Sequence, residues 1–208
     1  MTATLILPDG VRLIRRDELP GNESARAEHW ARIQRATLAP GFVITRGGGE
    51  GFALYAEANV HATQLFAVFH DLCHTLLETD ATLLLGEIDD DPRPLGTADV
   101  SDILRVLGRF KYQLAHDGFL QFGAISDHDS INEVFVAPTK HLKIWANDET
   151  RLRSVMEHHG VPEASRLEFL DQFPRATTKL AAREGVFGDF AEFAQVLEAE
   201  LATAGRLR

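Results

Sequence analysis

The segment from Phe119 to Ala146, FLQFGAISDHDSINEVFVAPTKHLKIWA, decides the fold because it has the two-residue alternation of three short strands. One set of alternate positions is apolar and is expected to face the core: Leu120, Phe122, Ala124, Val134, Val136, Leu142, Ile144 and Ala146. The opposite set mixes aromatic, polar and charged residues: Phe119, Gln121, Ile125, Glu133, Phe135, His141, Lys143 and Trp145. The segment predicts an antiparallel meander with one core face, while its mixed face is either covered by a helix or kept for a partner.

A strand pattern and a helix pattern precede this meander. An apolar strand is expected at Thr82–Ile88, and the helix that follows is capped by Thr97 and ended by Gly118. If the chain then returns at Phe119, these elements form one right-handed parallel crossover. We therefore predict an α/β fold of mixed α+β type, with a central mixed sheet that contains one parallel crossover and an antiparallel meander, and with helices packed on it.

Two hairpins are predicted in the N-terminal part. Residues 8–10, Pro-Asp-Gly, suit the first turn because proline presets φ and glycine accepts positive φ, and the second turn is the glycine-rich stretch 46–51. The strand pairs are Thr4–Leu7 with Val11–Ile14 and Phe42–Thr45 with Phe52–Tyr55. We predict a single globular domain over 1–208, and the alternative division separates a small hairpin-helix subdomain over 1–40.

The charge balance limits the classes of partner. The chain has 31 acidic and 21 basic residues and a formal net charge of −10, which disfavours nucleic acid and favours a basic protein partner. The apolar runs are too short to cross a membrane, and the single cysteine, Cys73, fits a reducing cytoplasm. Arginine far outnumbers lysine, a composition typical of a GC-rich bacterial genome.

The closest approach to a metal motif lies in the predicted helix from Asn59 to about Thr79. His70 and His74 are four residues apart, so they share one helix face, as a helix-borne zinc site requires. No glutamate follows the first histidine, so the metalloprotease pattern is absent, and the expected third ligand is His128, Asp127 or Asp129. The alternative is two histidines at the core boundary with local partners.

An acidic run follows the predicted strand at Thr82–Ile88. Glu87, Asp89, Asp90 and Asp91 lie where a parallel strand would end, which is where α/β folds place ligands. These carboxylates predict one of three roles: a site for Mg²⁺ or Ca²⁺, which prefer oxygen ligands, a contact surface for a basic partner, or an acidic turn that contacts only solvent.

Phe135 and Trp145 share the mixed face of the meander and are the candidate anchors of an interface, since interfaces concentrate large aromatic side chains. We favour a non-enzymatic acidic binding protein that engages a basic macromolecular partner, of toxin-neutralising (immunity) or adaptor type, with no cofactor and no assigned catalytic residue. The alternatives are a metal-dependent hydrolase that uses a divalent ion at His70 and His74, and a small-molecule sensor. Oligomeric state stays open.

Overall fold

The computed structural model describes residues 4–47, 49 and 51–206. Within these residues the strands are β1 Val11–Leu13, β2 Gly41–Arg46, β3 Leu54–Asn59, β4 Asp80–Glu87, β5 Arg93–Asp99, β6 Leu120–Ser126, β7 Asn132–Val136, β8 Leu142–Ala146 and β9 Arg175–Thr177. The helices are α1 Glu23–Gln34, α2 Leu65–Leu76, α3 Val100–Gly108, α4 Lys111–His116, α5 Glu149–His158 and α6 Phe190–Arg206. None of the helices in this part of the chain is long and apolar enough to cross a membrane.

Seven strands form the main sheet in the order β2-β3-β8-β7-β6-β4-β5, and every neighbouring pair is antiparallel. The mixed α+β class and the antiparallel meander, β6-β7-β8, are therefore confirmed. The predicted parallel crossover is wrong, because β6 lies antiparallel beside β4.

The crossover prediction failed because it missed β5. After β4 the chain turns and runs back as β5, so α3 and α4 deliver β6 in the direction opposite to β4. β5 contains Pro94 and Gly96, which are unfavourable in a central strand but acceptable at an edge. Its register with β4 shifts between Leu83 and Leu84, which accommodates the extra residue Leu95 as a bulge.

Because β5 was not predicted, the predicted start of the following helix is also wrong. Asp99, not Thr97, is the N-cap of α3, and its Oδ1 accepts a hydrogen bond of 2.8 Å from Ser101 N. Thr97 lies in β5, where its hydroxyl is 2.9 Å from that of Thr82 on β4.

The core lies between one face of the main sheet and the helices. The apolar positions predicted for the meander are each at most 3% exposed and belong to one cluster with residues of α2 to α6. Phe69 of α2 meets Phe122 of β6 edge-on, with ring centroids 4.9 Å apart. Burial of each large side chain here contributes about 1.5–3 kcal/mol, so this layer holds the sheet in place.

The N-terminal segment pairs differently from its prediction. β1 pairs with β9 near the C-terminal end of the chain, not with Thr4–Leu7. The second hairpin is confirmed as β2-β3, while Gly48 and Glu50 at its tip lie outside the described residues, as do residues 1–3. At the turn into β1, Gly10 is close enough to Gly118 that a Cβ on Gly118 would lie 2.2 Å from the Gly10 oxygen.

Candidate functional site

The face of the main sheet opposite the core carries side chains that lie outside the core cluster. Register places one residue from each strand in a line across this face, and we name that line the first row. The first row consists of Thr45, Tyr55, Trp145, Glu133, Ile125, Thr82 and Thr97. None of these seven side chains is buried, and the two outermost are exposed.

An aromatic pair and a carboxylate occupy the centre of the first row. The rings of Tyr55 and Trp145 are 5.0 Å apart between centroids and tilted by 46°. Glu133 lies directly opposite Trp145 on the next strand and is half-buried. Burial raises the pKa of Glu133, and no basic side chain of the described residues lies within ion-pair distance of it. The first row thus holds an unpaired carboxyl group beside a half-buried aromatic pair.

A second row runs parallel to the first and is more enclosed. Phe135 faces Gly123 and Lys143 across its neighbouring strands, and only 8% of its surface is exposed. A Cβ on Gly123 would lie 2.6 Å from Cδ2 of Phe135, so the missing side chain provides the space for this ring. The structure therefore places Phe135 and Trp145 on one face, where Phe135 is buried and Trp145 is half-buried.

The far end of the same face is closed by the segment around the 3₁₀ turn Leu170–Gln172. His141 is buried there, and its ring lies 5.1 Å from that of Phe169. Its Nδ1 is 2.9 Å from Thr139 Oγ1, while its Nε2 has no hydrogen-bond partner among the described residues and lies 3.9 Å from Glu57 Oε1. Burial lowers the pKa of His141 to about 4, so the ring is neutral at physiological pH.

The acidic run after β4 lies at this closed end. Glu87 is five residues along β4 from the first-row residue Thr82, a distance of about 16 Å, and its Oε1 pairs with Lys179 Nζ at 2.5 Å. Asp89, Asp90 and Asp91 form the exposed turn into β5. Because the strands are antiparallel, the reason for expecting a ligand site at a parallel strand end no longer applies.

The other predicted acids lie beside the first row. Asp127 and Asp129 are exposed in the turn that joins β6 to β7, between the first-row residues Ile125 and Glu133. They extend the negative charge of the first row toward solvent. Among the described residues they do not form a set of potential metal ligands with His70 and His74.

On α2, the acidic partner of His70 is Asp71 instead of Asp127 or Asp129. His70 and His74 stack with ring centroids 6.4 Å apart, and His70 Nδ1 donates to Asp71 Oδ1 at 2.9 Å. The second Asp71 oxygen accepts from His159 Nε2 at 2.8 Å. Burial opposes the charged form of Asp71, but the two histidine hydrogen bonds outweigh it and lower the pKa of this carboxyl.

His158 completes this group. One ligand atom from each of Asp71, His158 and His159 lies within 4.8 Å of the other two. We name Asp71, His70, His158 and His159 the histidine cluster. His70 and Asp71 also line a cleft of about 520 Å³ between α2 and α4, so the histidine cluster is open to solvent.

Tyr55 and Asp71 are two residues of these sites that the sequence did not predict. Tyr55 has the strand parity that faces Trp145, but only the register of β3 with β8 brings them together. Asp71 stands between the predicted metal ligands, yet its partners on α5 follow 87 and 88 residues later, where spacing gives no guide.

Comparisons with models of known protein families, with curated proteins and with solved structures find no match to this chain. The function is therefore inferred from the geometry of the first row and the histidine cluster.

Proposed function

We propose that this protein is a non-enzymatic binding protein whose first row engages a basic protein partner. The observation that carries the proposal is Glu133, an unpaired half-buried carboxylate directly opposite the half-buried ring of Trp145. An unpaired carboxylate in a partly dry position costs stability, so its presence favours a role outside folding.

The chemistry of the first row favours an arginine or lysine side chain from the partner. The tilted rings of Tyr55 and Trp145 offer aromatic faces to a cation, and Glu133 offers a carboxylate next to them. Asp127, Asp129 and the net charge of −10 add long-range attraction that steers a basic protein toward this face.

Neutralisation of a basic toxin, as in an immunity protein, is one form of this function, and an adaptor role is another. Both require the same contact: a cation held between an aromatic pair and a carboxylate, surrounded by acidic turns. Phe135 lies in the second row, and Glu87 is an odd number of residues along β4 from Thr82, so its side chain points to the opposite face of the sheet. Asp89, Asp90 and Asp91, in the exposed turn into β5, would contact only a partner long enough to reach that end of the sheet.

The experiment is a comparative capture from lysate with the wild-type chain, Trp145→Ala and Glu133→Gln as baits, followed by affinity measurement on the purified pair. Trp30→Ala, on α1, and Glu157→Gln, on α5, are matched controls that do not belong to the first row. We expect one basic protein that both controls retain and both test variants lose.

For the purified pair, Trp145→Ala should raise Kd by about 30-fold, the equivalent of a 2 kcal/mol hot spot, and added salt should weaken binding further. Unchanged capture by Trp145→Ala and Glu133→Gln would overturn the proposal. A fall in the melting temperature of Trp145→Ala, with Glu133→Gln still binding normally, would assign Trp145 to folding instead.

A further inference from the structure

The histidine cluster joins two helices that are far apart in the sequence. Three of the chain's nine histidines surround the single carboxylate Asp71: one comes from α2, one ends α5 and one is its C-cap. The rings of His158 and His159 are 5.1 Å apart and nearly perpendicular, so their nitrogens approach Asp71 from different directions.

The spacing of these groups suits a small transition-metal ion. Zn²⁺ binds imidazole nitrogen and carboxylate oxygen at about 2.0–2.2 Å, which puts the ligand atoms of a tetrahedral site about 3.3 Å apart. The ligand atoms of Asp71, His158 and His159 already lie within 4.8 Å of one another. His158 is exposed, so a rotation of its side chain closes the remaining distance without moving the backbone.

We propose that Asp71, His158 and His159 bind one Zn²⁺ or a similar transition-metal ion. In the metal-bound form the proton on His159 Nε2 moves to Nδ1, and the metal replaces the hydrogen bond to Asp71. His70 keeps its hydrogen bond to the other Asp71 oxygen and orients the carboxylate from behind, as outer partners of metal ligands do.

Two nitrogens and one oxygen leave a fourth coordination position for water or for a group in the neighbouring cleft. The cleft between α2 and α4 gives the ion access from solvent, since Asp71 lines it. The site lies on the helix layer, so its function and that of the first row on the opposite side of the sheet are tested independently.

The test is a calorimetric titration of the full chain with Zn²⁺ alone, combined with visible absorption spectra of the Co²⁺ form. We expect one ion per chain and the intense visible bands of a four-coordinate site. His158→Ala and Asp71→Asn should each raise Kd by at least about 10-fold, and EDTA should reverse the gain in melting temperature that Zn²⁺ produces.

His29→Ala, an exposed histidine variant on α1, is the matched control and should bind as the wild-type chain does. His74→Ala should also bind normally, because His74 is not among the grouped ligands. Absence of stoichiometric binding, or binding that His158→Ala and Asp71→Asn leave unchanged, would overturn the proposal. Imidazole NMR of the wild-type chain distinguishes the ligands directly, because His158 and His159 signals should shift while that of His29 should not.

Discussion

Lys140 gives the sharpest test of the electrostatics of this fold. The side chain is 4% exposed, and its Nζ donates to the Leu120 carbonyl oxygen at 2.6 Å. Burial lowers the pKa of Lys140 from 10.5 to about 7, although the negative charge of Asp117 works in the opposite direction. The folded state therefore releases a proton that the unfolded state holds until the pH is much higher.

The free energy of unfolding should rise with pH across this window. Between about pH 7 and the unfolded pKa, the unfolded chain binds more protons at this position than the folded chain does. At 1.36 kcal/mol for each pKa unit, the cost of Lys140 below about pH 7 is at most about 5 kcal/mol. That cost disappears as the pH rises to the ordinary lysine pKa.

Lys140→Met removes the titrating group and keeps the length of the side chain. It also leaves the Leu120 carbonyl oxygen without the hydrogen bond, which costs about 1–3 kcal/mol. The variant should therefore be more stable than the wild-type chain by about 2–4 kcal/mol near pH 7. At about pH 10.5 and above the order should reverse, and the variant should be less stable by about 1–3 kcal/mol.

Urea unfolding of both proteins at pH values from about 6 to 11 measures this difference. Other titrating groups, such as Cys73, whose pKa is raised by burial, cancel in the comparison. The control is Lys111→Met, an exposed position on α4, which should shift stability by less than about 0.5 kcal/mol at every pH. A difference between Lys140→Met and the wild-type chain that does not change with pH would refute the reasoning.

Two further predictions concern the face of the main sheet opposite the core. Gly123→Ala should destabilise the chain by about 1–3 kcal/mol, because the new Cβ would lie 2.6 Å from Phe135 Cδ2. Chemical denaturation measures this loss against the control Gly108→Ala, whose Cβ meets nothing closer than 3.9 Å. Equal stability of the two variants would contradict the prediction. Glu133→Gln should raise stability at neutral pH: a raised pKa makes the folded state hold its proton longer, so the wild-type chain loses stability as pH rises from the unfolded carboxyl pKa through the folded one. Melting curves over that range should show a pH-dependent gap between the two proteins, and a constant gap would exclude the buried charge as its cause.

The sequence predicted the parts of the fold in which local pattern and burial agree. The meander has strict alternation, so its core positions and its antiparallel order could be derived from the period alone. The apolar stripe along one side of α2 was equally clear from its helical spacing. By contrast, β5 contains Pro94 and Gly96, residues that argue against a strand unless its edge position is known, and that position is a property of the whole sheet.

Long-range partners limited the site prediction. The pairing of β1 with β9 and the approach of α5 to Asp71 join segments more than 80 residues apart, and no local rule specifies them. Helical spacing correctly placed His70 and His74 side by side, but it gave no sign that His159 would hydrogen-bond the residue between them. Parity placed Trp145 on the mixed face, while register with Tyr55 had to come from the folded sheet.

The two edges of the main sheet determine how another protein can meet it. On one side β5 has a proline and a bulge, and α6 lies against it; on the other, Phe42 of β2 already exchanges backbone hydrogen bonds with Pro162 and Ala164. At each edge the row of free backbone donors and acceptors is therefore interrupted, which disfavours edge-to-edge polymerisation. The recognition that we propose for this sheet would therefore depend on side chains rather than on an added strand, so single substitutions would alter its selectivity while the backbone stays the same.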